Sequence, residues 1–343
     1  MFDLDKLVRV NVKSLVPYSS ARDDYNGREG TFLDANENPY GNLNRYPDPY
    51  HKELKAALSL VKGIPEENIF LGNGSDEIID LCYRIFCNPG KDKAMIFPPT
   101  YGMYEVSASI NDVSLIRVPL DSSFQLDPER IRPKLDDNNL KLIFICSPNN
   151  PTGNAMKIND IESVISMFPA IVVVDEAYID FSRFPSLKTR IDKYPNLIVM
   201  QTISKAMGMA SVRIGMAFCS REIVSLFNKM KPPYNISTIN QRAALKRLRH
   251  SKLLTNQLRM IKTERERLRR NLEKIPIIEE IFPSDANFLL VRTKDPDFIY
   301  SSLVNERIIV RNRSKSVPGS IRITVGKKSE NNRLIKALKK ISL

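Results

Sequence analysis

Along the first two thirds of the chain, apolar runs that end in polar residues alternate with longer stretches of mixed character. KAMIFPP, KLIFICSP, AIVVVDEAY and NLIVMQTISK are rich in Val, Ile and Phe without polar alternation, the pattern of a strand buried on both faces. Windows long enough for a helix lie between several of them. This rhythm predicts an α/β fold with a mostly parallel central sheet flanked by helices. In such sheets ligands bind beyond the carboxyl ends of the strands, and these runs end in Ser147-Pro-Asn-Asn, Asp175-Glu-Ala-Tyr and Ser204-Lys205.

From about Lys246 the texture changes. KRLRHSKLLTNQLRMIKTERERLRRNLEK carries leucines at irregular helical spacing among many basic residues and predicts a long exposed helix or a helix pair. ANFLLVR, RIIVRNR and SIRITVG then predict short strands of a smaller α+β unit, closed by a helix over NNRLIKALKKI. The 343 residues fit about two domains at roughly 100–200 residues each. The expected organisation is an N-terminal segment, residues 1–33, packing with the small domain; a large domain, 34–240; and a small C-terminal domain, 241–343. There is no internal repeat and no low-complexity stretch.

Composition narrows the function less than the pattern does. Lys and Arg number 52 against 39 Asp and Glu, a net charge of +13 that permits anionic small molecules or nucleic acid as partners. Cys82, Cys87, Cys146 and Cys219 are scattered and mostly flanked by apolar residues, which predicts free thiols in a reducing compartment. With His51 and His250 the only histidines and no tight Cys/His pairing, no metal site is expected. MFDLDKLVRV has acidic residues where a signal peptide carries a basic end, and no run approaches the ~18 apolar residues of a membrane helix. The expectation is a cytoplasmic protein with no membrane partner.

The stretch TISKAMGMASVRIG poses the chemical question, because a lysine at the end of a buried strand is costly to desolvate. Taken singly, each strand-end group has an ordinary explanation. Asp175 can be a helix cap or half of an ion pair, Tyr178 a packed aromatic and Lys205 a snorkelling surface lysine. Taken together, Lys205, Asp175 and Arg213 match what pyridoxal phosphate asks of a protein: an amine for covalent attachment, a carboxylate for the pyridine nitrogen and a cation for the phosphate.

The motifs LDANENPYG, RYPDP, LGNGSDE, PTYGMY, CSPNNPTGN, VVDEAYIDF, TISKAMGMASVRIG and RITVG, in this order from about Tyr18 to Gly326, resemble the histidinol-phosphate aminotransferases. The resemblance implies a fold-type-I pyridoxal-phosphate transferase, a homodimer of histidine biosynthesis that exchanges an amino group between histidinol phosphate or its keto partner and glutamate or 2-oxoglutarate. It implies that Gly74, Ser75 and Asp76 open a helix holding the cofactor phosphate, completed by Ser204 and Arg213. Tyr101 would stack on the pyridine ring, and Asn150 and Tyr178 would bond its phenolic oxygen. Catalysis would rest on Lys205, Asp175 and Tyr178. Arg311 and Arg322 match the tail arginines for acidic substrate groups, Asn36 and Tyr18 the substrate-side positions near the N-terminus, and Tyr46 would reach the cofactor phosphate of a neighbouring subunit.

Ala210-Ser211 stands where many members carry Ala-Gly, and a serine fits only if that turn needs no positive φ. Sibling pyridoxal enzymes, such as aromatic-amino-acid aminotransferases or threonine-phosphate decarboxylases, share the lysine, the aspartate and NPTG-like parts. A nucleic-acid-binding regulator with an aminotransferase-like domain needs a separate DNA-binding domain, and motifs that begin by residue 18 leave no room for one; no nucleic-acid partner is expected.

Overall fold

The computed structural model describes residues 2–18 and 30–342. Two short helices, α1 (Leu4–Leu7) and α2 (Val10–Ser14), precede α3 (Lys52–Lys62). A seven-stranded sheet follows, built from β1 (Ile69–Gly72), β2 (Lys93–Ile96), β3 (Ser114–Arg117), β4 (Leu140–Cys146), β5 (Ile171–Asp175), β6 (Leu197–Thr202) and β7 (Gly215–Phe218). Helices α4 (Ser75–Phe86), α5 (Met103–Ile110), α6 (Pro128–Ile131) and α7 (Ile158–Met167) lie in its crossovers. The remainder runs α8 (Arg221–Met230), α9 (Thr238–Leu248), α10 (Ser251–Leu272), β8 (Ile278–Ile281), β9 (Phe288–Thr293), α11 (Pro296–Asn305), β10 (Arg311–Asn312), β11 (Ser320–Thr324) and α12 (Lys328–Ile341).

The large sheet has the spatial order β1-β7-β6-β5-β4-β2-β3. Its pairs are parallel except those of β7, which runs antiparallel to both β6 and β1. The unbroken apolar runs of β4, β5 and β6 follow from burial on both sides. Val172 and Val174 pack into the core on one face, while Ile171 and Val173 pack into the core on the other. Each such side chain contributes about 1.5–3 kcal/mol of burial.

The antiparallel return of β7 has a local consequence. Thr202 pairs with Gly215, and Ile203 N–H donates to the Ile214 carbonyl at 3.2 Å, so the Lys205–Arg213 stretch becomes a loop closed at its base. A second, wholly antiparallel sheet, ordered β10-β11-β9-β8, is covered by α10, α11 and α12.

Two expectations change. The described part of the N-terminal segment packs on the large sheet's helices, not on the small sheet: Val8 and Val12 enter the core of α4 and α8, Arg9 Nη1 donates to the Arg84 carbonyl at 2.9 Å, and Lys229 Nζ donates to the Lys13 carbonyl at 2.7 Å. Val8, the extended residue that ends α1, and Val12, inside α2, both turn toward the apolar seam between α4 and α8. The basic stretch after Lys246 is a helix pair, α9 and α10, but α10 is not simply exposed. Its Leu254 enters the large sheet's core, Leu258 and Ile261 pack beside Tyr178, Ala206 and Phe288, and Leu268 and Leu272 enter the small sheet's core.

Candidate active site

A cavity of about 550 Å³ opens at the carboxyl ends of β4, β5 and β6. Ser75, Asp76, Tyr101, Asn150, Asp175, Tyr178, Ser204, Lys205, Arg213, Arg311 and Arg322 line it, so most of the residues expected from the sequence come together here. Gly74 lies directly behind, beside Arg213.

One end of the cavity is shaped for an anion. Helix α4 starts at Gly74, whose φ is +78°, and no side chain caps its first turn, so the leading N–H groups stay open. A Cβ at Gly74 would come within 2.5 Å of Arg213 Nη2, and one at Gly215 within 2.5 Å of the Ser75 nitrogen. Gly74 is required by its positive φ, and Gly215 by the close approach of the β7 backbone to the α4 N-terminus. Arg213 Nη2 also donates to Asp76 Oδ2 at 3.3 Å, and Asp76 Oδ1 accepts from the Tyr101 hydroxyl at 3.1 Å.

Ser211 sits in a single 3-10 turn, Ala210–Val212, and the positive φ values fall instead on Gly208 and on Arg213, at 67° and 53°. A serine therefore costs this loop nothing in backbone strain.

At the centre, Asp175 is buried at the end of β5. Its Oδ2 accepts from the Tyr104 hydroxyl at 2.7 Å and its Oδ1 from the Ala177 N–H at 3.0 Å. Burial pushes its pKa up to about 6, and these two hydrogen bonds pull in the other direction. Lys205, just past β6, has its ammonium 5.7 Å from the centroid of the Tyr178 ring. Burial, then the Arg322 charge, lowers its pKa below the usual lysine value. Asn150 Nδ2 donates to the Tyr178 hydroxyl at 3.5 Å, and Tyr178 is edge-on to Phe288.

The other end is cationic. β10 and β11 pair so that Arg311 stands opposite Arg322. Arg322 is held by Asn150 Oδ1 and lies over the Phe288 ring, 5.2 Å from its centroid. Arg313 lines the same wall.

Three expected residues stand apart. Tyr46 and Asn36 line a separate groove of about 730 Å³ beside the start of α9, where the Tyr46 ring stacks on Tyr234 at 4.5 Å and its N–H donates to Glu37 Oε1 at 2.6 Å. Tyr18 is exposed and sits near Pro49 and Lys231. Within one chain none of these lines the Lys205 cavity.

Sequence reasoning missed Tyr104, Thr202 and Arg313. Tyr104 was visible as the second aromatic of PTYGMY, but its partner lies 71 residues away in sequence, beyond any local pattern. Glu176, also buried, points to the opposite side of β5, where it accepts from Leu187 N–H at 2.7 Å and Gln201 Nε2 at 2.9 Å.

The group that the resemblance implies fits the chemistry of this donor set. An uncapped helix start with Arg213 suits a phosphate, the buried Asp175 suits a protonated ring nitrogen, and Lys205 supplies an amine, all lining one cavity.

The sequence profile of the family described as aminotransferase class I and II matches residues 31–338. The chain is 52% identical to histidinol-phosphate aminotransferase from Cytophaga hutchinsonii over 98% of its own length and 99% of that protein. Among solved structures it is similar to the histidinol-phosphate aminotransferase of Clostridium acetobutylicum, with a TM-score of 0.80 and 28% identity, covering 88% of this chain and 91% of that one. It shares its fold with the Sinorhizobium meliloti histidinol-phosphate aminotransferase solved in complex with pyridoxal-5'-phosphate, with a TM-score of 0.79 and 24% identity, covering 87% and 83%.

Proposed function

The chain belongs to the class I and II aminotransferases, and within that family we propose that it is a histidinol-phosphate aminotransferase. It exchanges an amino group reversibly between L-histidinol phosphate and 2-oxoglutarate, in histidine biosynthesis. The observation that carries this reading is the polarity of a single cavity: lysine and a buried carboxylate at its centre, an anion cradle at one end and arginines at the other.

Pyridoxal phosphate, when bound, supplies a ring that takes up the electron pair left at the substrate α-carbon. Arg213, Ser204 and the first turn of α4 would hold its phosphate. Asp175 would keep its ring nitrogen protonated, Asn150 and Tyr178 would donate to its phenolic oxygen, and Tyr101 would cover the ring face.

The chain's own groups then divide the work. Lys205 Nζ, with its proton affinity lowered, is suited to hold the α-proton after taking it from carbon and to return it on the other side of the exchange. Tyr178, buried against Phe288, supports the amine through its ring. Arg322 and Arg311 bind the substrate's distal acid, the phosphate of one substrate and the carboxylate of the other. Tyr101, Met103 and Val106 supply apolar surface to the cavity lining.

The active enzyme is read as a homodimer. Tyr46 and Asn36, on a groove of their own within one chain, and the exposed Tyr18 then complete the partner's cavity. Four buried free cysteines fit a reducing, cytoplasmic setting. Among the described residues no helix is long and apolar enough to cross a membrane.

The test is direct: protein loaded with pyridoxal phosphate is mixed with histidinol phosphate and 2-oxoglutarate, and glutamate is measured. Glutamate formation supports the reading. Transfer from aromatic amino acids alone, or release of carbon dioxide from threonine phosphate, overturns it in favour of a sibling enzyme.

A further inference from the structure

The arginine end of the cavity is more cationic than an ordinary carboxylate site requires. Arg311 and Arg322 are directly opposed across the β10–β11 ladder, where like charges destabilise a pair. The ladder continues with Arg313 N–H donating to the Ser320 carbonyl at 2.9 Å. Strand alternation puts Arg313 on the same side as Arg311, and all three arginines line the cavity.

Among the described residues nothing acidic offsets them. The carboxylates on the cavity wall are Asp76 and Asp175, and each is engaged with a tyrosine at the other end, Tyr101 and Tyr104. Among the described residues no carboxylate lies within ion-pair distance of Arg311, Arg313 or Arg322. The contacts of Arg322 are an amide oxygen and an aromatic face, both neutral. Arg313 is half-buried, and its Nε is fully buried with no hydrogen-bond partner. Burial, then the charges of Arg322 and Arg311, lowers its affinity for its own proton. A buried guanidinium nitrogen left without a partner is costly, so this guanidinium is not satisfied by the protein alone.

The two acids that must share this site differ in charge. A carboxylate carries one charge and is matched by a single guanidinium fork, whereas a phosphate monoester carries about −1.5 to −2 and offers three strong acceptor oxygens. One fork serves both ligands, and further cations favour only the ester.

We propose that Arg313 is a specificity-determining residue, a third guanidinium that engages the phosphate monoester of the amine substrate and is little used by the distal carboxylate of glutamate. The inference rests on the transamination read above and assigns its preference between the two substrates to a residue with no role so far.

The test follows each half-reaction separately by the absorbance of the loaded enzyme in wild type, Arg313→Gln and Arg313→Lys. The ratio of kcat/KM for histidinol phosphate to that for glutamate should fall about 10- to 100-fold in Arg313→Gln, mostly through KM, and recover in part in Arg313→Lys. A second arm needs no turnover: propyl phosphate, which has no amine, should raise the melting temperature of loaded wild-type protein more than that of loaded Arg313→Gln. Without ligand the Gln variant should melt no lower than wild type, since a like charge has been removed. A ratio within about twofold of wild type together with equal propyl phosphate shifts overturns the proposal. If wild type does not turn over histidinol phosphate, the transaminase assignment falls, and the propyl phosphate arm still decides whether Arg313 holds a phosphate ester.

Discussion

The Tyr104 hydroxyl donates to Asp175 Oδ2 across 2.7 Å, from the second residue of α5 to the last residue of β5. This bond favours the ionised carboxylate, against the burial that raises the Asp175 pKa to about 6. Tyr104→Phe removes the bond and keeps the ring stacked on Phe144. The Asp175 pKa should then rise further, so the acid limb of the kcat/KM profile moves to higher pH. A hydrogen bond to a charged group is worth about 1.5–3 kcal/mol, so kcat should fall by about 10-fold or more. A pH–rate series checks both, and an unmoved acid limb would assign Tyr104 to packing alone.

Asp175→Asn should lose on the order of a hundredfold or more in turnover, as the electrostatic support of the ring nitrogen goes. The cofactor-free protein should respond in the opposite sense. A carboxyl whose folded pKa is raised stabilises the fold below its unfolded value, near 4, and that stability is lost as pH rises through about 6. Above pH ~7 the Asn variant should therefore be more stable than wild type by up to about 3 kcal/mol, less what is lost with one carboxylate acceptor. Urea denaturation of cofactor-free protein at pH 5 and pH 8 measures the difference, which should shrink or reverse at the lower pH.

Lys205→Ala should bind pyridoxal phosphate without a covalent link and turn over at less than about a thousandth of the wild-type rate, because anchor and base are lost together. Borohydride reduction followed by mass spectrometry should find the adduct in wild type only. Near wild-type transfer from glutamate would remove Lys205 from the mechanism.

If Tyr46 serves the partner's site, mixing Lys205→Ala subunits with an inactive Tyr46→Phe variant should restore up to about a quarter of wild-type activity after random exchange. Half of the dimers would then be mixed, each with one intact site. Exchange verified by native mass spectrometry with no recovered activity would return Tyr46 to its own chain, where it stacks on Tyr234.

Gly215→Ala puts a Cβ within 2.5 Å of the Ser75 nitrogen and 2.6 Å of the Gly74 carbonyl carbon, both backbone atoms that cannot swing aside. The variant should lose about 1–3 kcal/mol of stability, comparable to overpacking a core. Affinity for pyridoxal phosphate should drop with it, because the start of α4 is pushed out of place. A thermal melt and a cofactor titration check the pair, and a melt unchanged from wild type would show that the strand yields.

What the sequence revealed follows from which contacts are local. The unbroken apolar runs of β4, β5 and β6 needed only burial on both faces, so the hydrophobic pattern alone marks Asp175 and Lys205 as strand-end groups. The antiparallel course of β7 was not legible, since GMAF is equally apolar in either direction and its register depends on partners on two sides. The packing of Val8 and Val12 was missed because two valines in a polar segment do not name the seam that accepts them. Tyr18, Asn36 and Tyr46 were assigned by resemblance, and no pattern in their own neighbourhoods locates them relative to Lys205.

Helix α10 feeds three apolar clusters: Leu254 into the large sheet, Leu258 and Ile261 into the patch around Tyr178 and Phe288, and Leu268 and Leu272 into the small sheet. At 22 residues it is about 33 Å of continuous hydrogen-bonded rod, so neither sheet can melt without stripping part of its cover. The two sheets are thereby joined into one cooperative unit, and slow amide hydrogen exchange in α10 should report global unfolding, with amides of β5 and β9 exchanging at closely similar rates.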